Sequence, residues 1–215
     1  MRNVIERLLD LLYPPRCAFC RRLLREGESG LCRGCRERVP SFVPAETQRE
    51  VSGTVFCAAP FLYEGVVRES LLRFKFKGAA ANGRTFAEFI AKCVDENAVS
   101  CDSITWVPLS RRRLRQRGYD QARILAEETA KLLGLPCEKM LVKHVDNRPQ
   151  SSTKSAEERR QNAKGVYACK MDLTGRRVLL IDDIVTTGAT LSECAGVLKK
   201  AGCAAVYAAA AASRQ

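Results

Sequence analysis

Hydrophobic positions recur at two different periods along this chain, and the change between them divides it. In residues 3–12, Ile5, Leu8, Leu9 and Leu12 fall at i, i+3, i+4 and i+7, the spacing of one apolar helical face. Pro14-Pro15 stops that helix. Pro40 and Pro44 mark a linker at about 40–48, and from Val51 onward strand and helix signals alternate. Residues 55–63 are predicted to form a strand, 66–76 and 82–97 helices, 103–107 a strand, 120–133 a helix, 177–181 a strand and 190–201 a helix. The run 204–210 stays open between strand and helix, because alanine favours helix while its place after a helix and Gly202 favours strand. Such alternation over ~160 residues predicts an α/β domain with a mostly parallel sheet flanked by helices. The expected division is a small N-terminal module at 1–44 and a larger domain at 51–215.

Composition narrows the class. The 215 residues carry 36 Lys+Arg against 24 Asp+Glu, a formal charge of +12, with 46% hydrophobic and 28% charged residues. Those fractions suit a folded soluble protein and argue against wholesale disorder. The longest apolar stretch, 204–212, is far short of the ~20 residues that span a bilayer. Glu6 and Asp10 interrupt what would be the apolar core of a signal peptide. A cytoplasmic protein without a transmembrane segment is therefore expected. The odd total of 11 cysteines, with no spacing framework across most of the chain, also points to a reducing compartment.

Four of those cysteines form two Cys-x-x-Cys pairs, Cys17 with Cys20 and Cys32 with Cys35. Each short spacing brings two sulfurs within reach of one tetrahedral ion at ~2.3 Å. Four thiolates leave no open coordination position, so a structural Zn²⁺ is expected, with redox Cys-x-x-Cys chemistry or plain buried thiols as the alternatives.

A second signal lies at residues 178–190, where the apolar run Val178-Leu-Leu-Ile181 meets Asp182 and Asp183 and then Thr186, Thr187, Gly188, Ala189 and Thr190. A strand of this kind delivers its carboxylates to the carboxyl edge of a parallel sheet, where such proteins bind ligands. The Thr/Gly turn opening a helix offers N–H groups and hydroxyls to a phosphate. Gly188 permits close approach. Phosphate and acidic elements side by side suit a sugar phosphate, with the carboxylates on ribose hydroxyls. Gly-x4-Gly-Lys is absent, so this is not a nucleoside-triphosphate loop. The bland alternative is a Thr-rich helix cap beside solvated acids.

These thirteen residues resemble the 5-phosphoribosyl 1-pyrophosphate (PRPP) motif of type I phosphoribosyltransferases. Phe61-Leu-Tyr-Glu-Gly65, Lys75-Phe-Lys-Gly78, Val107-Pro-Leu109, Arg117-Gly-Tyr-Asp-Gln121 and the series Gln150, Arg159, Asn162 and Gly165-Val-Tyr167 resemble the ComF family, as does the cysteine module. The likeness runs in order along nearly the whole chain. It departs at Asp120, where the family usually has Asn, and at Tyr119 and Tyr167, where Phe is common.

The resemblance implies roles. Asp182 and Asp183 would contact the ribose of PRPP, and Thr186, Thr187, Gly188, Ala189 and Thr190 its 5′-phosphate. Leu109, Ser110 and Arg111 would hold the pyrophosphate, with Mg²⁺ bridging pyrophosphate and ribose oxygens. Residues 145–162 would be a mobile hood over the site. Arg111, Arg112 and Lys75 are candidate partners for the leaving group. ComF relatives are associated with DNA uptake, which implies single-stranded DNA and competence proteins as partners.

The run at 111–117 carries five arginines, and like-charge repulsion makes such a run expensive unless an anion is near. Arg112, Arg115 and Arg117, with Lys154 and Arg159 of the hood, are the candidate DNA contacts; a solvated basic loop is the alternative. Trp106 and Tyr119 are expected in the core rather than stacked on bases. His144, the single histidine, is read as a loop residue. Three function classes follow: a PRPP-dependent transferase with an unidentified acceptor, a single-stranded-DNA-binding uptake factor that uses PRPP as ligand or regulator, and a zinc-ribbon adaptor on an inert scaffold.

Overall fold

The computed structural model describes residues 14–38, 48–76, 80–144 and 165–214. The helix expected at 3–12, most of the 40–48 linker, and the hood with Lys154 and Arg159 lie outside the described residues.

The elements are α1 (Arg33–Glu37), β1 (Phe56–Ala58), β2 (Phe61–Leu62), α2 (Gly65–Phe76), α3 (Asn82–Glu96), β3 (Ser103–Trp106), α4 (Arg111–Arg117), α5 (Gln121–Leu133), β4 (Val142–Lys143), β5 (Tyr167–Ala168), β6 (Arg177–Val185), α6 (Ala189–Lys200) and β7 (Ala205–Ser213). A five-stranded sheet runs β1–β7–β6–β3, with β2 also on β7. Its pairings are all parallel. A parallel sheet flanked by helices was the expectation, and it holds.

Both faces of this sheet are covered, which is why β6 reads as a continuous apolar run rather than an alternating one. Leu179 and Ile181 face one hydrophobic cluster with Phe86 and Ile90 of α3 and Leu125 of α5. Val178 and Leu180 face the other, with Leu191, Cys194 and Leu198 of α6. The closing alanine run resolves as strand, because β7 lies between β6 and β1–β2 and its ladder hydrogen bonds outweigh alanine's local helix preference.

The structure departs from the sequence reading at four places. The strand at 55–63 is two short strands split at Ala59-Pro60, since proline offers no N–H to the ladder. The strand at 177–181 continues to Val185, held by Asp182↔Ala210, Ile184↔Ala212 and Val185↔Ser213. The basic run is not a loop but helix α4: Ser110 Oγ accepts from Arg113 N–H at 3.4 Å, and Gly118 at φ 80 closes the far end. A small antiparallel pair, β4 with β5, was not anticipated.

The cysteine module is packed into the domain. Phe19 sits 5.5 Å from Phe61 and 5.9 Å from Phe86, ring centre to ring centre. Ser70 Oγ donates to Ala18 O at 2.5 Å, and Arg73 donates to Ala18 O and Phe19 O at 3.0 and 2.6 Å. Among the described residues, no helix is long and apolar enough to cross a membrane.

Candidate functional site

The sulfur-bearing atoms of Cys17, Cys20, Cys32 and Cys35 all lie within 4.8 Å of one another, with Cys20 and Cys32 at 3.6 Å. An ion with ~2.3 Å zinc–sulfur bonds sets tetrahedral sulfurs roughly 3.8 Å apart, a spacing this set can meet with small side-chain shifts. Local charge agrees. Burial disfavours the Cys17 thiolate, but backbone hydrogen bonds from Cys32, Cys20 and Phe19 outweigh it and bring the thiol down to about 7. Burial and hydrogen bonds to its three neighbours push Cys35 far up. The Cys17 thiolate thus forms readily, while Cys20 and Cys35 are held protonated unless a cation is near, which supports a structural zinc.

The acid pair lies on β6. β3 ends at Trp106, opposite Ile181, and the last ladder bond on that side is Val107 N–H to Ile181 O at 2.9 Å. β6 therefore runs on past its neighbour, with Asp182 and Asp183 in the stretch that β3 has left. Asp182 and residues 184–191 line a shallow, open concavity that contains the Thr186–Thr190 turn. Gly188 has φ 70, and a Cβ there would come within 3.0 Å of Val51, so the turn depends on glycine. Thr187 Oγ1 accepts from Ala189 N–H at 3.4 Å, and Gly188 supplies no side-chain cap to α6.

Asp183 is paired: Lys75 Nζ, from the end of α2, lies 2.9 Å from its Oδ1. Asp182 is half-buried beside it. Loss of solvent, and then the neighbouring Asp183 charge, push its carboxyl up to about 8, although the Asp183 N–H and Lys75 favour ionisation. The sign of the resulting pH effect is definite. The folded state binds this proton more tightly than the unfolded chain, so stability falls as pH rises from about 4 to about 8. Asp182→Asn should consequently raise the melting temperature by a few degrees, since ~1 kcal/mol is about 2–4 °C for a chain this size. The gain should be larger at pH 8 than at pH 5; equal gains at the two pH values in thermal melts would contradict it.

The residues expected around pyrophosphate have definite neighbours. Leu109 N–H donates to Asp120 Oδ2 at 3.0 Å, Ser110 caps α4, and Arg111 is exposed at its first position. Asp120 also caps α5 through Arg123 N–H at 3.3 Å, and burial raises its carboxyl despite these bonds. Its role in fixing the Leu109 loop went unrecognised in the sequence; the available signal was an acid following Gly118-Tyr119 at a helix start. Arg112 and Arg115 are exposed, whereas Arg117 turns inward and donates to Gln121 Oε1 at 2.7 Å. Trp106 is buried and Tyr119 half-buried, its hydroxyl donating to Phe74 O.

Known proteins match along the chain. Residues 8–49 match the double zinc ribbon domain and residues 120–215 the phosphoribosyl transferase domain. Competence protein F of Haemophilus influenzae is 30% identical over 87% of this chain and 92% of its own length. Competence protein ComFC of Bacillus subtilis is 31% identical over 95% of this chain and 87% of its own length. DNA utilization protein YhgH of Escherichia coli is 32% identical over 49% of this chain and 46% of its own length. Two-domain matching and full-length likeness agree that this chain belongs to the ComF family of competence proteins, with a zinc-ribbon module joined to a phosphoribosyltransferase-type domain.

Proposed function

We propose that the chain binds PRPP together with Mg²⁺, transfers its phosphoribosyl group, and serves DNA uptake from the cytoplasm. One observation carries this reading: the Asp182–Asp183 pair on the free margin of β6 runs straight into the Thr186–Thr190 turn at the start of α6. The turn takes the 5′-phosphate and the acids take the vicinal hydroxyls. Leu109 and Ser110, which follow β3, and Arg111, which opens α4, take the pyrophosphate. Asp120, Asp182 and Asp183 share one locality with Lys75, a set of carboxyl oxygens that suits a hard cation drawn in with a polyphosphate. Asp183, with Asp182 and Asp120 beside it, would help hold Mg²⁺, which would supply charge neutralisation for the leaving group. In transfer, the C1′–O bond breaks with its electron pair leaving on pyrophosphate, and the acceptor's lone pair forms the new bond to C1′.

A second reading, that single-stranded DNA binds the same protein, is favoured by Arg111, Arg112 and Arg115, which stand exposed on α4 at the edge of the site. Calorimetry with PRPP in Mg²⁺, joined to pyrophosphate release screened against nucleobases and oligo(dT), tests both. PRPP binding with base-dependent or strand-dependent release is the expected outcome. PRPP binding without release would leave the regulatory role; no PRPP binding would end the proposal.

A further inference from the structure

The C-terminal end of α2 carries a feature that the ribose-phosphate site does not use. Phe76, its last residue, is 63% exposed, whereas every other described phenylalanine and the tryptophan are buried or half-buried. The Arg117 guanidinium lies over its ring, 4.8 Å from the ring centre. Arg117 is itself held by Gln121 Oε1 at 2.7 Å and feels the Asp183 carboxylate. Lys75, one residue earlier, reaches that same carboxylate at 2.9 Å. An apolar ring backed by a cation, next to the acid pair and at the foot of a helix with exposed Arg112 and Arg115, has the parts that grip a nucleotide: a flat stacking face, a ribose contact and phosphate partners.

We infer that Phe76, backed by Arg117, is a stacking platform for a planar nucleobase at the mouth of the ribose-phosphate site. This inference rests on the PRPP reading above for its neighbour, but not for its own test. The base has two sources of the same chemistry: a free acceptor base, or a base of a DNA strand laid along α4. Base–aromatic stacking depends on the base's π-face and not on phosphate charge, and that difference supplies the experiment.

The probes are dT12, an abasic deoxyribose-phosphate strand of the same length, and free adenine, hypoxanthine and uracil added with PRPP. The parent protein should bind dT12 at least tenfold more tightly than the abasic strand if the strand supplies the base. It should show base-dependent pyrophosphate release or base binding if a free base does. Phe76→Ala should abolish whichever base dependence the parent shows, with melting temperature and PRPP affinity unchanged. Phe76→Trp should restore it, with indole fluorescence quenched by the stacked base. Base dependence that survives intact in Phe76→Ala, or a parent that discriminates neither strand nor base, overturns the platform. A parent that fails to bind PRPP overturns the function proposed above, while the comparison of dT12 with the abasic strand still decides this one.

Discussion

Asp182→Asn, Asp183→Asn should bind PRPP at least tenfold more weakly than the parent, with the fold intact. Each hydrogen bond to a charged group is worth ~1.5–3 kcal/mol, and ~1.4 kcal/mol is a factor of ten in affinity. The two positions should not contribute equally. Asp182 is pushed up to about 8 by loss of solvent and by the Asp183 charge, so in the free protein near neutrality it is mostly protonated. Its Asn replacement is then a near mimic, and Asp183→Asn alone should carry most of the loss. Removing Asp183 also leaves the Lys75 ammonium, 2.9 Å away, without its partner. Thr187→Val should act differently, since it deletes a hydroxyl of the phosphate turn and should weaken ribose 5-phosphate along with PRPP. Calorimetry of the parent and variants with both ligands in Mg²⁺ separates these effects. A double variant that binds PRPP like the parent would remove these acids from the ribose site.

Loss of the metal should destabilise the whole chain and not only its N-terminal module. About one equivalent of zinc should accompany the freshly purified, reduced protein. Chelation or Cys17→Ser should then lower the melting temperature by ~10 °C or more. The magnitude follows from Phe19, which is 4% exposed and wedged against Phe61 and Phe86. Removing a buried phenylalanine costs about 3–5 kcal/mol, and each ~1 kcal/mol is about 2–4 °C here. Ser70 and Arg73 would lose their carbonyl acceptors at Ala18 and Phe19 as well. Metal analysis finding no zinc, or a melting temperature indifferent to Cys17→Ser, would refute this.

What could be read from the sequence follows from how far each signal acts. The run Val178–Ile181 is apolar because both faces of β6 are covered, and burial on two faces leaves a plain local mark. How far β6 continues was not legible, because Val185 stays in the ladder only through Ser213, nearly thirty positions away. Proline marked the interruption at Pro60 in principle, yet the flanking residues of β1 and β2 share β7 as partner and so carry one continuous strand pattern. Helix α4 was hidden by its own charge: five arginines suggested repulsion, while the decisive signals were Ser110 and Gly118 at its ends. For the site, Lys75 and Arg117 were named as anion partners, but their approach to Asp183 and the hold of Asp120 on Leu109 arise only on folding. Asp182 through Thr190 form one segment, but Lys75, from one other segment, and Arg117 and Asp120, from a second, come together with it.

The packing of Phe19 against Phe61 and Phe86 has a consequence for the order in which the chain is made. At ~5–20 residues per second, the ribosome delivers Phe86 roughly 70 residues and several seconds after Phe19. Phe61 arrives only partway through that interval and Phe86 at its end, whereas the four cysteines of the knuckle are already all present by residue 35. A captured ion can therefore fix the loop at once, through contacts near in sequence, and hold Phe19 displayed on a formed turn until the sheet arrives. A nascent chain short of zinc would offer the later helices a floppy segment instead, and with it an unfilled slot beside Phe61. Metal supply during synthesis would thus set the yield of correctly assembled protein, a kinetic dependence that no equilibrium measurement on the finished molecule would reveal.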